Sequence, residues 1–424
     1  MALVSELELP TFDYTDPSMR GERFHQAMRE LRAGGWLAQA PFGFMTLDRE
    51  SGEFFLRTRS AIFPGMKIAE IFGVTEGPLY EQMLRNILHV NGADHSRLRS
   101  LVNPALSPRA VERYRPAMRE FLEQLLAGSI AAGDSDGDGD ESVCRCDFVE
   151  AFAKPYPSLV IADVMGAPLQ DAPRLHHWSN MIQRQFDAVS MAGERDLIEQ
   201  AVEEFYEYAQ ELVRVRRESP GDDLISTLIA AADPAHPPER LSDVECINLV
   251  FNILVGGVDT SQSQLAHAIR LLAEHPQQWQ LLADDPSLAA HAVEEALRYE
   301  PITPFTARIL TEDVLYRDVS FPEGTVVMVC AFTGNRDLEP QPGGEGSDPD
   351  QFDITVDRGR ARPLTFGAGV HYCLGANLAR LELEEGLAFL SQHLHGLALD
   401  GEPVFEGVSG IYGLSELPIR FSPS

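Results

Sequence analysis

Phe366-Gly367-Ala368-Gly369-Val370-His371-Tyr372-Cys373-Leu374-Gly375 runs directly into Ala376-Asn377-Leu378-Ala379-Arg380. It sets one cysteine at the end of a glycine-punctuated loop, just before a helical pattern. Leu378, Leu381, Leu383, Leu387 and Leu390 recur at roughly helical spacing, so a helix is predicted to start immediately after the cysteine. Amides at a helix N-terminus favour an anion and lower the pKa of a thiol placed there. Gly367, Gly369 and Gly375 let the backbone turn tightly and approach something flat and bulky. A thiolate held in this way is a soft axial ligand for haem iron. A dinucleotide-binding loop is excluded, because Tyr372 stands where the third glycine of G-x-G-x-x-G is required.

The chain has 424 residues, 44% of them hydrophobic, enough for a large core. Its 34 Lys plus Arg face 65 Asp plus Glu, a formal net charge of −31, which argues against a nucleic-acid partner. The acidic N-terminus Met1-Ala-Leu-Val-Ser-Glu-Leu-Glu is no signal peptide, and no apolar run reads as a membrane span. A cytoplasmic protein without membrane attachment is expected. Cys144, Cys146, Cys246, Cys330 and Cys373 are too sparse and odd in number for a disulfide framework.

Residues 1–20 are polar and proline-bearing and read as an N-terminal arm. Arg20 to Ala33 reads as a helix and Phe44 to Phe63 as strands and turns. From Phe63 to Asn91 the chain is unusually apolar, through Ile68, Ile71, Phe72, Leu79, Met83 and Leu88. This stretch is either ordinary core or a lid whose apolar residues face a cavity. His95 and Arg99 then share one face of a helix opening near Asn91. Gly133 to Glu141 imitates the first half of a calcium loop, but its twelfth position is Arg145 rather than Glu. Residues 133–146 and 341–347 therefore read as hydrophilic surface insertions. Leu169 to Arg217 is helical in pattern.

Ser242 and Glu245 form a capping box. The helix they open is expected to run to His275, before Pro276, about 50 Å at 1.5 Å per residue. Its centre, Gly256-Gly257-Val258-Asp259-Thr260, is unusual. Two glycines cost about 1 kcal/mol each in a helix interior, and a carboxylate and a hydroxyl sit in an apolar segment. Either two helices cross closely there around a satisfied polar pair, or the segment borders a ligand. Thr260 can bond back to the Gly256 carbonyl and open a groove. Ser287 to Tyr299 reads as a further helix carrying Glu295 and Arg298 at i, i+3. Val314 to Ala331 reads as a β-hairpin turning at Pro322-Glu323-Gly324.

The loop has the form F-G-x-G-x-H-x-C-L-G, and the chain resembles the cytochrome P-450 family, the haem-thiolate monooxygenases, of the soluble bacterial type. His95/Arg99 resembles the family's H-x-x-x-R, Gly256 to Thr260 its A/G-G-x-D/E-T, and Glu295/Arg298 its E-x-x-R, all in the family's order. Pro220-Gly221-Asp222-Asp223-Leu224 and Asp348-Pro349-Asp350-Gln351-Phe352-Asp353 resemble two further family segments. The resemblance covers residues from about 20 to 420. It implies a mainly α fold, a triangular α-rich prism with a small β-rich region, forming a single domain over 1–424 around a buried haem b.

The resemblance assigns the iron to Cys373. It places His95, Arg99, Arg308 and His371 on the haem propionates, and Phe366, Gly367, Gly375, Gly256 and Gly257 around the cofactor. Asp259 and Thr260 would supply protons to dioxygen, the co-substrate. Glu295 and Arg298 would form a structural lock closed by Arg358. Phe72, Leu79, Phe305, Ile411 and Tyr412 are the expected substrate-pocket residues. No flavin segment is present in the sequence, so electrons are expected from a separate ferredoxin and its NAD(P)H-dependent reductase, with Arg358, Arg360 and Arg362 as a basic docking patch. The expected reaction inserts one oxygen atom into an apolar small molecule, with hydroxylation foremost. A peroxide-driven haem oxidase and a non-catalytic haem-binding protein are the alternatives.

Overall fold

A computed structural model describes residues 2–132, 143–231, 240–337, 348–358 and 362–423. Residues 133–142 and 341–347, in the two expected insertions, and Arg360 lie outside the described residues. Helices dominate. A long interrupted helix, Asp243–Gly257 continued by Asp259–Glu274, crosses the centre and packs on Pro155–Met165, Ala172–Gln183, Arg195–Glu218, Ala289–Tyr299 and Ala376–His393. Ser242 Oγ accepts from the Glu245 amide at 3.3 Å, and Glu245 Oε2 accepts from the Ser242 amide at 2.8 Å, completing the capping box. By length and composition this stretch could cross a membrane, contrary to the reading of the sequence. However, 67% of its most apolar window is buried inside the protein, as in a core helix.

The helix does not run unbroken to His275. Val258 (φ −91°, ψ −68°) interrupts it, and Thr260 Oγ1 donates to the Gly256 carbonyl at 2.6 Å across the break. That hydroxyl takes over a carbonyl the regular ladder would use, which is how a mid-helix threonine bends its helix. Gly257 allows a close helix contact there: a Cβ would lie 2.5 Å from Ile161 Cδ1 on the neighbouring helix Pro155–Met165, which would have to shift.

The β-rich side is a five-stranded sheet in the spatial order Leu37–Ala40, Gly43–Thr46, Val326–Cys330, Phe305–Leu310, Ala61–Ile62. Gly43–Thr46 pairs parallel with Val326–Cys330, and the other pairings are antiparallel. The N-terminal arm lies along this side, exchanging bonds between Pro10, Phe12 and Gln39.

Three local expectations change. Between Phe44 and Phe63 the chain forms a helix, Arg49–Arg57, capped by Asp48, whose side chain accepts from the Ser51 amide at 2.7 Å. The breaker signal Ser51-Gly52 masked it. Gly52 is needed because a Cβ would lie 2.8 Å from Val329 Cγ1 on the adjoining strand. The hairpin after Val314 turns at Arg317 and Asp318, both at positive φ, not at Pro322-Glu323-Gly324. Tertiary contacts hold that turn: Arg317 bonds Asp48 at 2.5 Å and Glu50 at 2.6 Å and lies over the Trp36 ring. Finally, Cys144–Asp147 is not part of a surface insertion. It pairs antiparallel with Pro418–Pro423, and that strand with Leu394–Leu399.

Candidate active site

The loop and helix read first from the sequence form the floor of a cavity of about 500 Å³. Helix Ala376–His393 begins three residues after Cys373, and Leu378, Leu381, Leu383, Leu387 and Leu390 all face the core. The Cys373 amide donates to the Phe366 carbonyl at 2.9 Å and closes the loop on itself. Gly369 has φ +73°, and a Cβ there would sit 2.5 Å from the Leu56 carbonyl, so the loop can press against helix Arg49–Arg57 only as glycine. Burial pushes the Cys373 thiol up, opposed by the amides of Gly375 and Ala376 and the guanidiniums of Arg99 and Arg380. Burial outweighs the helix-terminus effect that the sequence alone suggested.

Four basic side chains line the same cavity: His95, Arg99, Arg308 and His371. The His95 and His371 rings are 4.3 Å apart, and Arg99 Nη2 donates to the Tyr372 carbonyl at 2.9 Å. His371 Nε2 lies 3.3 Å from Asn91 Oδ1. Arg308 is buried, and among the described residues its guanidinium donates only to the adjacent Ala307 carbonyl, from Nη1 at 2.9 Å. Burial pulls the Arg308 pKa down to about 10. Burial, then His95, Arg308, Arg99 and His89, pull His371 down to about 3. Two guanidiniums, Arg99 and Arg308, beside two imidazoles whose charging burial and those guanidiniums oppose, call for a shared anionic partner. The carboxylates of a haem supply it, and the set fits that group.

The roof is the central helix. Gly256, Gly257 and Thr260 line the cavity, and a Cβ on Gly256 would meet nothing within 4 Å, so the space beside Thr260 is open. Asp259 does not line it. Its buried carboxyl turns toward Asn180, whose Nδ2 lies 3.4 Å from Oδ1. Burial raises the Asp259 pKa, opposed by that bond and by His176, Arg184 and Lys154.

Of the expected pocket residues, Phe72, Phe305 and Ile411 line the cavity, as do Phe366, Gly367 and Gly375. Leu79 and Tyr412 do not. Leu79 is in the hydrophobic core, on the inner face of helix Pro78–Arg85. Tyr412 is fully buried; its Oη accepts from the Gly21 amide at 2.8 Å and its ring stacks on Phe405. The 63–91 stretch thus serves both roles considered, with Ile68, Ile71 and Phe72 on the cavity and Val74, Leu79 and Met83 in the core.

Glu295 and Arg298 are buried and bidentate, at 2.7 Å for both Nε–Oε2 and Nη2–Oε1. Arg358 Nη2 reaches Glu295 Oε1 at 3.1 Å, and the Asp353 amide donates to the same oxygen at 3.0 Å. Arg358 therefore points inward and leaves the expected docking patch, while Arg362 is exposed and bonds Tyr372 Oη at 3.3 Å.

The sequence reading missed Glu382. It lines the cavity from helix Ala376–His393, receives a bond from Ser261 Oγ at 2.8 Å, and its Oε1 has no partner among the described residues. Its position four residues after Leu378, on the buried face, was the available signal. Tyr14 and Phe42, near the N-terminus, also line the cavity and carried no such signal.

The comparisons agree with this geometry. The family model for cytochrome P450 matches residues 73–284 and 278–397. A luteothin monooxygenase of Streptomyces thioluteus is 34% identical over 98% of this chain and 96% of its own length. A mycinamicin IV hydroxylase/epoxidase of Micromonospora griseorubida is 34% identical over 75% of this chain and 74% of its own. The crystal structure of CalO2 superposes with a TM-score of 0.85 at 29% identity, covering 98% of this chain and 100% of that one. With a cysteine, four basic groups and a broken helix around one cavity, and with these likenesses, the chain belongs to the cytochrome P450 family and is a haem-thiolate monooxygenase.

Proposed function

We propose that this protein hydroxylates an apolar secondary metabolite, with haem b held by Cys373 and electrons delivered by a separate ferredoxin and its reductase. The observation that carries the reading is the cavity itself: about 500 Å³, mostly apolar, with Cys373 on its floor and Thr260 on its roof. The same cavity would hold the haem beside Cys373 and the four basic side chains, and its apolar remainder takes a small organic molecule. Relatives named for luteothin and mycinamicin IV support a natural-product substrate. A haem bound there supplies the redox chemistry that activates dioxygen.

The chain's own residues do the rest. Arg99 and Arg308 would neutralise the propionates, and His95 and His371 would hydrogen-bond them. Phe72, Phe305 and Ile411 exclude water and orient the substrate. Thr260 holds a proton at Oγ1 on the cavity wall, and its bond to Gly256 keeps the groove open. Asp259, behind that wall, is a protonatable group on the same helix turn. Glu382, pushed up to about 8 by burial, keeps a second proton at the cavity. The ferredoxin docks against the surface carrying exposed Arg362 and Val370, next to the cysteine loop.

Turnover of a candidate substrate with NAD(P)H, ferredoxin and reductase, compared with hydrogen peroxide, tests the reading. Product formation with the protein partners, and far less with peroxide, is the expected result. Peroxide-only turnover, or haem binding with no turnover in either system, would contradict it.

A further inference from the structure

The cavity wall holds side-chain amides whose donors are already used and whose acceptors are not. Asn252 is half-buried, and its Nδ2 donates to the Asn248 carbonyl at 2.6 Å, which fixes the amide's orientation and turns Oδ1 away from its own helix backbone. Gln185 Nε2 donates to the Ile182 carbonyl at 3.0 Å. Its Oε1 is buried and unpartnered, and the residue is only 1% exposed. Both residues line the cavity, among Ile253, Phe186 and other apolar side chains. Gln264, near Thr260, repeats the pattern: Nε2 donates to the Glu300 carbonyl at 3.1 Å and Oε1 is unpartnered.

A buried carbonyl oxygen left without a donor costs more than a made hydrogen bond returns, so such groups mark where a donor belongs. Asn252 lies eight residues before Thr260, on the segment preceding the break at Val258, about 12 Å at 1.5 Å per residue. We propose that the substrate carries a hydroxyl or amide N–H group roughly 12 Å from the carbon that is oxidised, and that Gln185 and Asn252 accept its hydrogen bond. Neutral amide acceptors in an apolar wall suit a neutral donor and not an ammonium, which would require a carboxylate. The two residues thereby select register: they fix one end of a long molecule and so decide which carbon sits beside Thr260. This rests on the haem reading above.

Iron-anchored probes test it. N-alkylimidazoles with chains of about eight to twelve carbons, spanning that 12 Å, are titrated into the haem-loaded protein by their Soret shift, each as a methyl-ended and hydroxyl-ended pair. The ratio of the two dissociation constants should favour the hydroxyl by about three- to tenfold more in the wild type than in Gln185→Leu/Asn252→Leu, at one chain length and not at shorter ones. Thermal melting of the double variant checks its fold, and each single variant is titrated beside it. An unchanged ratio at every length overturns the inference. Absence of any imidazole-induced Soret shift overturns the haem reading, and this inference with it.

Discussion

Ser261 Oγ donates to Glu382 Oε2 at 2.8 Å and joins the central helix to the helix that follows the cysteine. Burial lifts the Glu382 carboxyl from 4.5 to about 8 against that bond. The folded chain therefore holds a proton that the unfolded chain has released between about pH 4.5 and 8, and stability falls as pH rises through that window. In Glu382→Gln the urea midpoint should vary less with pH over this range than in the wild type. An unchanged slope would show that Glu382 is ionised in the fold.

Gly256 and Gly257 are neighbours in sequence with opposite demands. Gly257→Ala places a methyl 2.5 Å from Ile161 Cδ1 and should cost about 1–3 kcal/mol, partly restored by Ile161→Val, which removes that carbon. Gly256→Ala meets open space, so its stability should hold or rise by up to about 1 kcal/mol from helix propensity. Denaturant titration separates the two. Equal losses would contradict the packing described here.

Glu295→Ala leaves the Arg298 guanidinium buried without its carboxylate, and should cost about 3–5 kcal/mol. Arg358→Ala removes the longer contacts to Glu295, at 3.1 and 3.4 Å, and should cost less, about 1–3 kcal/mol. Urea unfolding of both variants checks the order. A milder effect for Glu295→Ala than for Arg358→Ala would place the lock elsewhere.

Thr260→Ala removes both the proton at the cavity wall and the bond to the Gly256 carbonyl. Product per NAD(P)H consumed should fall about tenfold or more, with consumption itself less affected. Thr260→Ser retains the hydroxyl and should recover most of the yield. Full coupling in the alanine variant would remove Thr260 from proton delivery.

Much of the site was legible because its chemistry is local in sequence. The Cys373 loop, the His95/Arg99 pair and the Gly256–Thr260 segment each sit in a few consecutive residues, and the capping box at Ser242 needs only its own spacing. What escaped was set by distant partners. Arg358 reads both as the residue closing the Glu295 lock and as part of a docking patch, and only its contact with Glu295 decides between the two; the Arg317 turn depends on Asp48, Glu50 and Trp36. Leu79 and Tyr412 looked like any apolar or aromatic pocket residue, and only packing turns them away from the cavity. The break at Val258 accompanies the Thr260 hydroxyl's bond to the Gly256 carbonyl, a bond the sequence suggests although its helical pattern continues through the break.

The most direct measurement is the absorption spectrum of the purified protein reduced with dithionite under carbon monoxide. A Soret band at the strongly red-shifted thiolate position, lost in Cys373→Ala, is the predicted result. A band at the ordinary histidine-haem position, or one unaffected by Cys373→Ala, would contradict ligation by Cys373.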